Sequence, residues 1–114
     1  MSGPYLLRYV DLFVKERSAG AYILSRNGRS ADRVGASAHD VAHAVRQAGK
    51  DQPYRYFWFA YAATSQQAFD LERTWHHRYR PTDNPQPPQT DTGGHWRCTI
   101  AGCATCALTP LAAR

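Results

Sequence analysis

The chain predicts an α+β domain, a small three-stranded antiparallel sheet flanked by helices, followed by a short Cys/His-rich C-terminal tail. Three observations carry that expectation. Two runs, AYILS at 21–25 and YRYFWFAYA at 54–62, are apolar or aromatic enough to suit strands on a pleated, half-buried surface. Asn27-Gly28 is a hairpin signal, because both residues accept positive φ; it places an antiparallel partner strand around Ser30 to Ala36, with Val34 inward. Three further stretches repeat apolar residues every three and four positions, as helices with one buried face do.

In chain order, residues 4–16 come first, with Leu6, Leu7, Val10, Phe13 and Val14 forming a helical stripe. Ser18 to Gly20 breaks that helix. The 21–25 strand, the Asn-Gly turn and the 30–36 strand follow, and Gly35 in the second strand marks a close approach of the backbone, expected to be to a ligand. From His39 to Ala48 the helical spacing returns, with Val41, Ala44, Val45 and Ala48 on one side and Gly49 as the C-cap. The aromatic strand over 54–62 leads directly into the last helix. Its apolar face is Ala68, Leu71, Trp75 and Tyr79; Thr64 and Gln67 have the form of a capping box, and Pro81 stops it. PQPPQTDTGG then cannot build core. The expected organisation is therefore a folded domain over 1–85, a linker over 86–94 and a tail over 95–114.

At 114 residues there is room for one modest core. The net charge of +5 comes from twelve arginines and two lysines against nine acidic residues. Arginine forks match phosphate oxygens bidentately, so the balance favours an anionic partner, nucleic acid first, with a merely solvated basic surface as the alternative. No apolar run is long enough for a membrane span, and the charged start does not read as a signal peptide, so a cytoplasmic location is expected. In such a reducing compartment, three cysteines between 98 and 106 favour metal or free thiols over disulfides. His95, Cys98, Cys103 and Cys106 give H-x2-C-x4-C-x2-C, four ligands suited to tetrahedral Zn2+. A docked tail with free thiols is the alternative.

The last helix also carries the strongest site signal. Glu72 lies beside its apolar face, and Pro81 and Asn84 follow in a short bent connection. His76, one turn beyond Glu72, reads first as a solvated histidine and second as a partner of that carboxylate.

With these pieces in order, residues 18–85 resemble the GIY-YIG nuclease domain superfamily. Gly20-Ala21-Tyr22 stands where the family has Gly-Ile-Tyr, and Arg33-Val34-Gly35 where it has Tyr-Ile-Gly. Glu72 with Tyr79, Pro81 and Asn84 follows the family's glutamate and its Tyr-x-Pro-x-x-Asn turn closely. The resemblance implies an endonuclease that hydrolyses DNA phosphodiester bonds with Mg2+ or Mn2+. It makes Tyr22 the activator near the nucleophile, Glu72 the metal ligand and Asn84 a residue that orders the site. Two positions depart from the pattern: Arg33 replaces the second tyrosine, and Ala44 falls where the family's helix arginine belongs. Arg46 stands two positions further on, about 200° round the helix, so Arg33 or His43 is expected to supply the positive charge.

Three functions remain open at this point. One is a nuclease, with DNA favoured over RNA. Another is a catalytically degenerate relative that binds nucleic acid or a protein partner, a second copy of the chain included. The third is an interaction protein that presents an apolar patch around Trp58.

Overall fold

The structure, a computed structural model, describes residues 1–83. Its elements are β1 (Ser2–Leu6), a 3-10 turn (Leu7–Tyr9), α1 (Val10–Phe13), β2 (Gly20–Ser25), β3 (Arg33–Ser37), α2 (Val41–Ala48), β4 (Tyr56–Tyr61) and α3 (Ser65–Tyr79). The strands form one antiparallel sheet in the order β1-β4-β2-β3. The α+β class is as expected, but the sheet has four strands and not three.

The extra strand replaces most of the expected N-terminal helix, of which α1 is the remnant. Without β1, aromatic β4 would be an edge strand with unpaired backbone groups, and the PYL segment satisfies them. Tyr5 then reaches Phe57 and Phe59, with ring centroids 5.7 and 6.2 Å apart, and stacks on Phe13 at 4.1 Å. Helical periodicity in 4–16 could not reveal that demand, because it arises from a strand more than forty residues away.

β2 and β3 are also joined differently from the expectation. Residues 26–32 form a seven-residue loop in place of a two-residue hairpin. Gly28 does take positive φ (74°), but Asn27 uses its side chain: Oδ1 accepts from the amides of Arg29 (2.8 Å) and Ser30 (3.1 Å).

Strand alternation sorts the core onto two faces. Tyr22, Leu24, Phe57 and Phe59 face α2 and α1, where they meet Val10, Val14, Val41, Val45 and Ala48. Ala21, Ile23 and Val34 face α3, where they meet Trp75 and Leu71, with Trp58 packed against the same cluster. Trp58 is thus half-buried, and the large exposed apolar side chains among the described residues are Met1, Tyr9, Leu12, Phe13 and Tyr79.

The helix termini explain their own positions. Asp40 caps α2 by accepting from the His43 amide (3.2 Å), a cap not read from the sequence. Gly49 ends α2 with an ordinary right-handed φ of −66°. Its lack of a side chain matters for space, since a Cβ there would come within 2.8 Å of Leu7. Thr64 accepts from the Gln67 amide (3.1 Å), while the Gln67 side chain reaches back to the amide of Ala63 (3.0 Å), one residue short of a strict capping box. At the other end of α3, Arg80 turns left-handed (φ 48°) and buried Pro81 follows. Tyr79 does not join the buried face; it is 39% exposed, with Arg78 over its ring. His76 is buried at 7%, against the expectation of a solvated side chain. Among the described residues, no helix is long and apolar enough to cross a membrane.

Candidate functional site

β2 and β3 place the first two site residues by register alone. Tyr22 pairs with Gly35 and Leu24 with Arg33, so Tyr22 and Arg33 are diagonal neighbours on the α2 face of the sheet. The Tyr22 ring lies across Gly35, where any Cβ would collide with the hydroxyl and would stand 3.0 Å from Cε1. The close approach expected at Gly35 is therefore to Tyr22, and no ligand is needed to explain it.

The Arg33 guanidinium has one direct acceptor, with Nη1 donating to Asp51 Oδ2 at 3.0 Å, and the Tyr22 and Tyr54 side chains act on its charge. Burial works against the Arg33 charge, but Tyr22, Tyr54 and Asp51 outweigh it and raise its pKa. Burial raises the Tyr22 pKa, and the Glu72 charge adds to this, while Arg33 pulls the other way. Tyr22 is therefore a neutral phenol at neutral pH.

Glu72 comes from α3, on the opposite layer, yet its charge is felt at Tyr22. It is half-buried, and burial pushes its pKa up to about 7, with Arg73 next in the chain drawing it down. Arg73 is itself buried at 8%, and its Nη2 makes no hydrogen bond among the described residues. The structure thus makes Tyr22 and Arg33 neighbours, while Glu72, on the α3 layer, is linked to Tyr22 through its charge alone.

His43 is not part of this group. It is exposed on the outside of α2, whereas Ala44 packs against the cluster that holds Tyr22. Arg46 pairs instead with Asp11. Asn84, His95, Cys98, Cys103 and Cys106 lie outside the described residues.

No protein-family model, curated protein or solved structure matches this chain.

Four residues that the sequence analysis did not single out lie at the same end of the sheet as Arg33. Tyr54, buried at 6%, donates its hydroxyl proton to Asp83 Oδ2. Asp83 is gripped by Arg26 through two bonds, Nη2 to Oδ2 at 2.8 Å and Nη1 to Oδ1 at 3.3 Å, and Arg26 also lies 5.2 Å over the Tyr54 ring. Asp51 completes the set. Tyr54 read as the start of an aromatic strand and Asp51 as a loop residue, and no local pattern couples either to Arg33. Only the fold brings positions 26, 51, 54 and 83 to one end of the sheet.

What can the arrangement do? A neutral phenol and a guanidinium on one face offer a donor and a cation to phosphoryl oxygens. A carboxylate poised near neutrality can exchange a proton or bind a metal ion. Among the described residues there is no cluster of three His, Cys, Asp or Glu side chains, so a divalent ion held here would rest on Glu72, water and substrate oxygens. Mg2+ is commonly bound through one or two carboxylates in that way, and Glu72 fits the requirement.

Proposed function

We propose that this protein is a metal-dependent phosphodiesterase that cuts DNA, the activity implied by its resemblance to GIY-YIG nucleases. The observation that carries the reading is the placement of Tyr22 and Arg33 as diagonal neighbours on one face of the sheet, with the Glu72 carboxylate of α3 near enough for its charge to act on Tyr22. In this scheme Arg33 takes the phosphoryl oxygens, and the Tyr22 hydroxyl orients the attacking water by hydrogen bonding without first giving up its proton. Glu72 holds Mg2+ or Mn2+, which supplies Lewis-acid charge when bound. Nucleic acid is the partner, DNA above RNA, in keeping with the net charge of +5. A cytoplasmic location and a structural Zn2+ on His95, Cys98, Cys103 and Cys106 belong to the same proposal.

The test is incubation of plasmid and single-stranded DNA with Mg2+ or Mn2+, using Glu72→Ala as control. Metal-dependent nicking that the control lacks is expected. Binding is expected to weaken by at least about tenfold between about 50 and 200 mM salt, because each neutralised phosphate releases counterions. Binding that ignores salt, with no nicking, would remove the reading.

A second reading is a binding module that has lost catalysis. It is favoured by a specific observation: α2 presents Ala44 to the Tyr22 cluster and leaves His43 in solvent, so this helix sends no cation to the site. Under this reading the double variant Arg33→Tyr with Ala44→Arg gains cleavage over the parent. One well-placed electrostatic group is commonly worth about a hundredfold to a thousandfold in rate. If the parent cuts well and Arg33→Ala abolishes cutting without weakening binding, Arg33 is a working part of a divergent site.

A further inference from the structure

Strand register gathers one end of the sheet from several separate segments. Ser25 pairs with Tyr56 and Leu24 with Arg33, so β2 ends where β3 and β4 begin, and Leu6 at the end of β1 also pairs with Tyr56. The Arg55 amide donates to the Ser25 carbonyl at 2.9 Å, and the Arg55 carbonyl accepts from the Leu7 amide at 2.8 Å. The end of α3 is fastened there too: the Asp83 amide donates to the Asp32 carbonyl at 2.7 Å, Thr82 Oγ1 donates to Asp32 Oδ1 at 2.9 Å, and Arg26 Nη2 donates to Asp83 Oδ2 at 2.8 Å. The 26–32 loop, Arg55 and the segment after α3 therefore form one held surface.

Charge on this surface is one-sided. Its acidic side chains are already taken, Asp32 and Asp83 by Arg26 and Asp51 by Arg33. Arg29, Arg55 and Arg80 are exposed, and none of them forms an ion pair among the described residues. At the other end of the sheet, where Gly20 pairs with Tyr61, the charges offset one another. There Asp11, Glu16 and Asp40 share a groove with Lys15, Arg17 and Arg46, and Arg17 pairs with Asp40 and Arg46 with Asp11.

The negative end of the α3 dipole accounts for a cation at Arg80. It does not account for Arg29 in a loop or Arg55 just before a strand. Nor does it account for the Arg80 backbone, whose left-handed φ of 48° is a conformation that glycine takes without the steric cost borne by other residues.

We propose that this end of the sheet, through Arg29, Arg55 and Arg80, is the surface that takes the phosphate backbone of DNA. Guanidinium forks that no carboxylate occupies are open to bidentate bonding with phosphate oxygens. Contacts of this kind position the duplex and carry no base preference. Arg33 starts β3 at the same end, so a strand held here passes the candidate site. The inference rests on the reading of nucleic acid as the partner and adds where the chain grips it.

The test follows binding of a labelled duplex of mixed sequence to the full chain by fluorescence anisotropy across a salt series. Arg29→Gln, Arg55→Gln and Arg80→Gln are compared with Arg17→Gln, whose side chain is 87% exposed at the opposite end. Each of the three is expected to flatten the slope of log affinity against log salt by about 0.9, and to weaken binding at about 100 mM salt by about five- to tenfold, the share of one phosphate contact. Arg17→Gln should match the parent, and a second duplex of different sequence should lose the same amount. Since none of the three arginines holds an ion pair, melting curves should superimpose on the parent; where one does not, the remaining two decide. If DNA binds but the three variants keep the parent slope, this surface is wrong and nucleic acid stands as the partner. If they flatten it in a chain that cuts nothing, the nuclease reading fails and the surface stands. A parent that binds no DNA at about 50 mM salt overturns both.

Discussion

Glu72→Gln is expected to stabilise the protein above neutral pH and, at the same time, to abolish metal-dependent cleavage. In the folded chain burial raises the Glu72 pKa from 4.5 to about 7. Below pH 4.5 folded and unfolded glutamate are both protonated, and the group contributes nothing to the pH dependence. As pH rises from there through 7, the unfolded state gives up its proton first, so stability falls, and above 7 the full cost of a buried charge is present. At about 1.4 kcal/mol per pKa unit, discounted for partial exposure, that cost is about 2 to 3 kcal/mol.

Glutamine keeps the shape and removes the charge. Thermal melts at about pH 8.5 should therefore show Glu72→Gln above the parent by roughly 10 °C, and melts at about pH 4 should coincide. Added Mg2+ or Mn2+ should raise the parent melt at pH about 8.5 and leave the variant unmoved, because a ligand that binds only the folded state stabilises it by mass action. A carboxylate retained at this cost is consistent with a role in the site, and cleavage by the variant should drop about a hundredfold or more. A variant that is no more stable at high pH, or that still responds to metal, would count against Glu72 as the ligand.

The largest stability loss is expected for Phe57→Ala. Phe57 is fully buried on β4, opposite Tyr5 of β1 and Leu24 of β2, with Phe59 6.0 Å away by ring centroids. Truncating such a ring costs about 3 to 5 kcal/mol through lost burial and the cavity left behind. Domains of this size are stable by only about 5 to 15 kcal/mol, so the melting temperature should fall by more than about 10 °C. Phe13→Ala is the matched control: that ring stacks on Tyr5 but is 41% exposed, and its loss should cost about 1 kcal/mol. Equal losses in the two variants would mean that β1 is held by its outer stack and not by the β4 core.

The α+β class, the strands at 20–25 and 56–61 and the helices at 41–48 and 65–79 follow from patterns a few residues long, and such patterns are legible in the sequence. Period-two and period-3.6 apolar spacing, a Thr cap and a terminating Pro act locally, so each states its element without reference to the rest. The same holds for Tyr22 and Glu72 as candidates, since each stands out within its own element. What only the tertiary structure decided involves groups that meet across the chain. β1 is a strand because β4 needs a backbone partner, and the 26–32 loop is long because Asp32 is drawn into bonds with Arg26 and Thr82. Gly35 is a glycine because the Tyr22 ring occupies its side-chain space, and Arg33 stands beside Tyr22 and pairs with Asp51 because strand register and the loop after α2 bring them to one place. Backbone pairing, excluded volume and hydrogen-bond satisfaction between distant residues leave no periodic trace in the sequence, and these decided both the fourth strand and the surroundings of the site.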